Sequence, residues 1–183
     1  MDAVTLLKER RSVRKFSDTP VTKEVMENII DICRFAPSWR NAQIVRYNVV
    51  TDETIIKRIA EEAYTGFAFN TKSLLQATGV VILSYVNGVS GHGPKGELLS
   101  TKGDSWSMFD AGIAAQQFAL AAYEKGIGTV MQGIFDEKVI GEILHLPDNE
   151  IAAVVIPYGY ELKHNAAPKR KEVAEIARFY SKN

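Results

Sequence analysis

The chain has one cysteine, Cys33, and three histidines, His92, His145 and His164. One thiol cannot close an intramolecular disulfide, and the histidines share no ligand spacing, so neither a disulfide scaffold nor a structural zinc site is expected. Neither sign of charge is in excess: 22 Lys plus Arg balance 22 Asp plus Glu. A protein that coats nucleic acid needs a basic surplus, so that class is disfavoured and electrostatic interest must come from local clustering. The longest apolar runs, near 80–83 and 151–157, are too short to cross a bilayer. The opening MDAVTLLKERRS lacks the apolar core of a secretory signal and reads as a cytosolic start. These absences point to a reducing, cytoplasmic setting with no membrane partner.

Familiar catalytic kits are also missing. No serine sits in G-x-S-x-G. Gly91-His92-Gly93-Pro94-Lys95-Gly96 spells GxGxxG. The dinucleotide mechanism needs a strand running into that turn and a long helix leaving it. Here the strand pattern ends near Val86, Pro94 interrupts the motif, and no acidic residue stands at the later ribose position. Cys33 falls on the apolar face of a helix and reads as a small core residue. If the protein is an enzyme, its reactive group comes from a bound cofactor.

What is present suits a soluble globular protein: 183 residues, 46% hydrophobic and 24% charged, enough for one domain over 1–183. Helical periodicity or cap signals mark 2–10, 22–36 behind Thr22, 53–63 behind Asp52, 70–77, 105–125 with Gly126 as its stop, 137–144 behind Asp136, and 171–181 with Val173, Ile176, Ala177 and Tyr180 inward. Strand patterns mark 45–50, 79–86, 127–133 and 151–158. The long helix carries a small-residue stripe, Ala111, Ala114, Ala115, Phe118, Ala119 and Ala122, that allows close packing. Few strands and many helices give an α+β fold: a small mixed, mainly antiparallel sheet flanked by helices on both faces. Between 87 and 104 lie five glycines. That stretch reads as a flexible surface loop or as a lid over a ligand.

Three clusters carry chemistry. Residues 8–15, KERRSVRK, hold five basic residues in eight, and 169–171 is Lys-Arg-Lys. Chain ends often lie close together, so Arg10, Arg11, Ser12 and Arg14 could meet Lys169 and Arg170 around one anion, or form a solvated basic face. Ala36-Pro37-Ser38-Trp39-Arg40-Asn41-Ala42-Gln43 offers donors and acceptors suited to a heteroaromatic edge, or is a plain helix-to-strand loop. In Gly126–Gly133, bare backbone at Gly128 and Gly133 would let a flat ring approach, or the stretch is a cap and an edge strand.

In this order the clusters resemble the nitroreductase family of FMN-dependent oxidoreductases. Arg10-Arg11-Ser12-Val13-Arg14-Lys15-Phe16 is similar to the opening R-R-S-x-R-x-F, and Pro37-Ser38 with Asn41-x-Gln43 to P-S-x-x-N-x-Q. Phe69-Asn70, the helix from Asp110 to the G-x-G at Gly128, and Pro168 to Val173 match further family positions. The resemblance implies FMN at the interface of an intertwined homodimer. Arg10, Arg11, Ser12, Arg14 and Arg170, with Lys169 or Lys171, would hold the phosphate and ribityl chain. Pro37, Ser38 and Asn41 would come from the partner subunit, Asn70 would reach the pyrimidine side, and Gln132 with Gly133 would lie near N5. It implies ping-pong hydride transfer from NAD(P)H to a small electron-poor acceptor such as a nitroaromatic or quinone, with no catalytic side chain and no metal. The chain departs from the family at Ile44-Val45, at Thr129-Val130-Met131-Gln132 and in its glycine-rich 87–104 loop. Those departures keep open reductive dehalogenation, substrate oxidation, or a non-catalytic flavin-binding module.

Overall fold

The computed structural model describes residues 2–181. Helices start where a side chain can accept from the first free backbone N–H groups. Asp2 caps α1 (Ala3–Glu9), Thr22 caps α2 (Lys23–Cys33) and Asp52 caps α3 (Glu53–Arg58), which runs on through one π turn at Ile59–Ala63. Next come α4 (Ala68–Leu75) and α5 (Ser105–Glu124), and Asp136 caps α6 (Glu137–Leu144). Gly126 follows α5 with φ of 75°, a left-handed conformation that costs glycine little.

Four strands form one sheet in the order β1-β2-β4-β3: β1 (Val45–Val50), β2 (Gly79–Val86), β3 (Ile127–Thr129) and β4 (Glu150–Tyr160). All three neighbouring pairs are antiparallel; the bridge Ser12–Thr129 is parallel. β2 has a neighbour on each side and helices on each face, which is why it reads as an unbroken apolar run. Val81, Leu83, Ile156 and Tyr158 face one layer, where Met26, Ile29 and Cys33 of α2 meet Ala111, Ala114, Ala115, Phe118 and Ala122 of α5. Val80, Ile82 and Val155 face the other, with Ile56 of α3, Leu74 of α4, and Ile140 and Ile143 of α6. The alanine stripe is thus buried within the chain and lets α5 lie close to α2 and the sheet. Gln117 of α5 also donates to the Ile32 carbonyl at the end of α2, 2.8 Å away.

Four elements differ from the sequence expectation, the first being α2, which ends at Cys33 in a turn at 34–35 and not at 36. α4 begins two residues early because no side chain caps it, so no residue type advertised its start. β3 ends at Thr129, and the chain rejoins β4 only at a single Gln132–Val155 bridge. The last helix shrinks to one turn, α7 (Val173–Ile176), held by a reciprocal box between Glu172 and Glu175. Val173, Ile176 and Tyr180, expected inward, are 66%, 69% and 89% exposed, and Ala177 is half-buried. One turn is too short to be stable without a packed face, and the chain presents no surface of its own to cover it.

Candidate cofactor site

The parallel bridge sets the site. Val13 donates its backbone N–H to the Thr129 carbonyl at 2.9 Å, next to the Ser12–Thr129 bridge. Beyond it Ser17 donates to Tyr160 (2.8 Å), Leu162 donates to Lys15 (3.2 Å), and Phe16 bridges Glu161. This ladder lays residues 12–17 along the β3–β4 end of the sheet and brings 161–170 beside 10–15. A cavity of about 550 Å³ lies between them, lined by Arg10, Arg11, Ser12, Arg14, Lys15, Lys163, Asn165, Ala166, Pro168 and Arg170.

Six of those ten residues are cations and none is a carboxylate. None of the six takes part in an ion pair among the described residues. The Arg10 and Arg11 Nε atoms are buried with no hydrogen-bond partner. Burial, then repulsion from Arg11 and Arg170, draws the Arg10 guanidinium below its ordinary pKa. Arg11 spends one nitrogen on the Lys8 and Arg10 carbonyls (2.6 and 3.0 Å), and Arg170 spends one on the Pro168 carbonyl (3.3 Å). Concentrated positive charge with unspent buried donors is the donor set for a phosphate-sized anion. The residues present fit the tail of a flavin mononucleotide.

Both chain ends thus contribute to one cavity, and Arg14 and Arg170 share it. Lys169 is exposed and does not line it; Lys15, Lys163 and Asn165 do. Lys163 sits in a link without periodicity. Its place becomes apparent only once Phe16 pairs with Glu161 and carries the chain back past Lys15.

Pro37, Ser38 and Asn41 do not reach the cavity within one chain. Their loop is tightly wound: Arg40, Asn41 and Gln43 all have positive φ, at 46°, 57° and 50°. Ser38 Oγ accepts from the Gln43 N–H at 3.0 Å, and both Asp110 carboxylate oxygens accept from the Trp39 N–H at 3.1 and 3.0 Å. Three non-glycine residues in the left-handed region are strain of the kind stored at binding loops.

Gln132 points inward. Its side-chain oxygen accepts from the Tyr64 hydroxyl, and its nitrogen donates to Ser73 Oγ (2.6 Å) and to the Asn70 carbonyl (3.3 Å). With both ends of the amide spent and the residue 2% exposed, Gln132 offers a ligand no side-chain group; it braces Asn70 from behind. Asn70 keeps its own side-chain amide free of hydrogen bonds among the described residues. The bare face of Gly128 is not open to a ring: a Cβ there would meet Val13 Cβ at 2.7 Å. Gly133 is exposed, with open space where its side chain would be.

A larger concavity, about 1310 Å³, lies elsewhere, among α2, β1 and α4. Lys23, Glu27, Glu53 and Lys72 mix both signs on its walls, so it has no preference for an anion. Among the described residues no group of three or more His, Cys, Asp or Glu is placed to hold a metal, and no helix is long and apolar enough to cross a membrane.

The family model described as "Nitroreductase family" matches residues 7–160. The chain belongs to the nitroreductase family. A family member from Clostridium difficile 630, solved as a crystal structure, is 26% identical, covers 99% of each chain and superposes with a TM-score of 0.78. A protein of Archaeoglobus fulgidus provisionally named an NADH dehydrogenase/NAD(P)H nitroreductase is 28% identical over 163 residues, 87% of this chain and 85% of the relative. Iodotyrosine deiodinase of Nematostella vectensis is 26% identical over 195 residues, 93% of this chain and 72% of the relative. Membership places the chain among oxidoreductases of the nitroreductase kind.

Proposed function

We propose that this nitroreductase-family chain is a cytoplasmic FMN-dependent NAD(P)H oxidoreductase that works as an intertwined homodimer and passes hydride to a small electron-poor acceptor, a nitroaromatic or quinone. The carrying observation is the cavity in which six cations from both chain ends face one another without an acid. Bound FMN would supply reversible hydride acceptance at N5. Arg10, Arg11, Ser12, Arg14 and Arg170, joined by Lys15 and Lys163, hold the phosphate and ribityl chain. Asn70, braced by Gln132, offers its free amide to the edge of the ring, and Gly133 leaves backbone room beside it. Pro37, Ser38 and Asn41 of each subunit complete the partner's site. Donor and acceptor use the same space in turn, and no side chain forms a covalent bond. The uncovered apolar side chains of the C-terminal arm, among them Phe179 at 87% and Tyr180 at 89% exposure, support the dimer: such an arm needs a surface that one chain does not provide.

The deciding experiment is an absorbance spectrum of the purified protein before and after anaerobic NADH or NADPH. A flavin spectrum that bleaches is expected. Protein that stays colourless with added FMN overturns the cofactor, and flavin that binds but does not bleach leaves a non-catalytic module. The deiodinase relative and the glycine-rich 87–104 loop favour reductive dehalogenation as a second reading. Faster flavin reoxidation by halogenated aromatics than by nitroaromatics would select it.

A further inference from the structure

Asp110 is a carboxylate, 2% exposed and without a cation partner among the described residues. Burying a charge in that way is expensive unless hydrogen bonds replace water. Here they come from two loops. The Trp39 N–H reaches both carboxylate oxygens, and Ser90 Oγ donates to Oδ2 at 2.6 Å. Trp39 belongs to the strained 38–43 loop and Ser90 to the 87–104 loop, so one side chain of α5 ties them together. The aromatic rings repeat the tie: Trp39 and Trp106 stand 4.6 Å apart between centroids, and Trp106 Nε1 donates to Ser100 Oγ at 2.7 Å.

The 87–104 loop is accordingly a folded piece. Ser90 and Gly91 are buried, His92 bridges Leu98, and the Leu99 N–H donates to the Gly91 carbonyl at 2.9 Å. A Cβ on Gly91 would meet the Gly103 carbonyl at 2.8 Å, so the loop closes against itself where glycine permits. The stretch read from its composition as a flexible surface loop or a lid is anchored at Ser90 on Asp110.

We infer that Asp110 is a positioning residue that locks the 38–43 loop to the 87–104 loop, so that a ligand held by Ser38 and Asn41 also tightens the loop on the far side of Asp110. The lock follows from the hydrogen bonds above; the coupling to a ligand rests on the flavin reading, in which Ser38 and Asn41 face the cofactor. The coupling inferred through this shared anchor is reciprocal between the two loops.

The chain has two tryptophans, Trp39 and Trp106, and both sit in the lock, so the exciton couplet of their indoles in circular dichroism reports on it directly. Lys95 and Lys102 are exposed in the loop and report its opening through trypsin cleavage. In flavin-free protein, Asp110→Leu should weaken the couplet, and Ser90→Ala and Asp110→Leu should both speed cleavage at Lys95 and Lys102 by about tenfold, the worth of a hydrogen bond to a buried charge. Asp110→Asn should keep both near wild type, because its amide oxygen can accept from Trp39 and its amide nitrogen can donate to Ser90 Oγ. Added FMN should slow loop cleavage in wild type. In Ser90→Ala, binding seen by flavin fluorescence quenching should leave cleavage unchanged. Wild-type cleavage in Ser90→Ala would overturn the lock even if Asp110→Leu fails to fold. Equal protection by FMN in wild type and Ser90→Ala would overturn the coupling. Wild type that binds no FMN overturns the proposed function, while the flavin-free comparison still decides the lock.

Discussion

Arg14 and Cys33 sit at opposite ends of reactivity. Arg14 is exposed on a cavity that lacks acids, and its guanidinium is free to fork onto a phosphate. Arg14→Ala should loosen FMN by about tenfold to a hundredfold in Kd, the span of one charge-assisted hydrogen bond, with a shallower salt dependence; equilibrium dialysis against FMN checks it. Cys33→Ala should leave flavin retention unchanged. Burial pushes the Cys33 thiol up from 9.0 to about 12, opposed only by a hydrogen bond with Tyr47. Its folded value lies above the unfolded one, so the protonated thiol stabilises the fold fully below pH 9, and that stability is lost as pH rises from about 9 toward about 12. Urea midpoints should fall through that window, and fall less steeply in Cys33→Ala. The basic cluster was legible because RRSVR is local, but only Arg170 placed beside it decides between a cavity and a solvated face. The direction of Gln132 was not, because its partner Tyr64 is 68 positions away and no local period foretells such a contact.

Helix starts were legible wherever a cap residue preceded an apolar period, as at Thr22, Asp52 and Asp136. Where Phe67 stood in the cap position without a side-chain bond, the boundary moved. β3 was overextended because alternation alone cannot show where a partner strand runs out. Its glycine carries a testable consequence. Gly128 lies against Val13, whose branched Cβ cannot swing aside. Gly128→Ala should destabilise the fold by about 1–3 kcal/mol and weaken FMN binding by displacing Ser12 from its Thr129 bridge. Chemical denaturation and flavin titration together check both halves. Gly133→Ala, which meets no atom within 4 Å, should leave stability near wild type.

For the whole molecule, charge balance hid the site. A net charge of zero describes the average, whereas the ladder from Ser12 to Leu162 gathers six cations into one cavity. Sequence patterning suggested that the ends meet, but the partners that join them are backbone atoms, which carry no signature in residue type. The apolar residues of the C-terminal arm follow a helical period, yet Val173, Ile176, Phe179 and Tyr180 stay exposed among the described residues. Removing residues 173–183 should therefore leave the urea midpoint of the core nearly unchanged while lowering the dimer fraction in sedimentation velocity. A truncated chain that sediments like the full one would count against an exchanged arm.

The cavity's walls lie far apart in the order of synthesis. Arg10, Arg11 and Arg14 leave the ribosome early, but the ladder that positions them needs Tyr160 and Leu162, and Arg170 comes later still. A chain that lacks residues 161–170 therefore has only one wall of the cavity. On the proposed flavin reading, a fragment cut before Glu161 should retain no FMN on dialysis, because it lacks the residues that lay Ser12–Ser17 against the sheet.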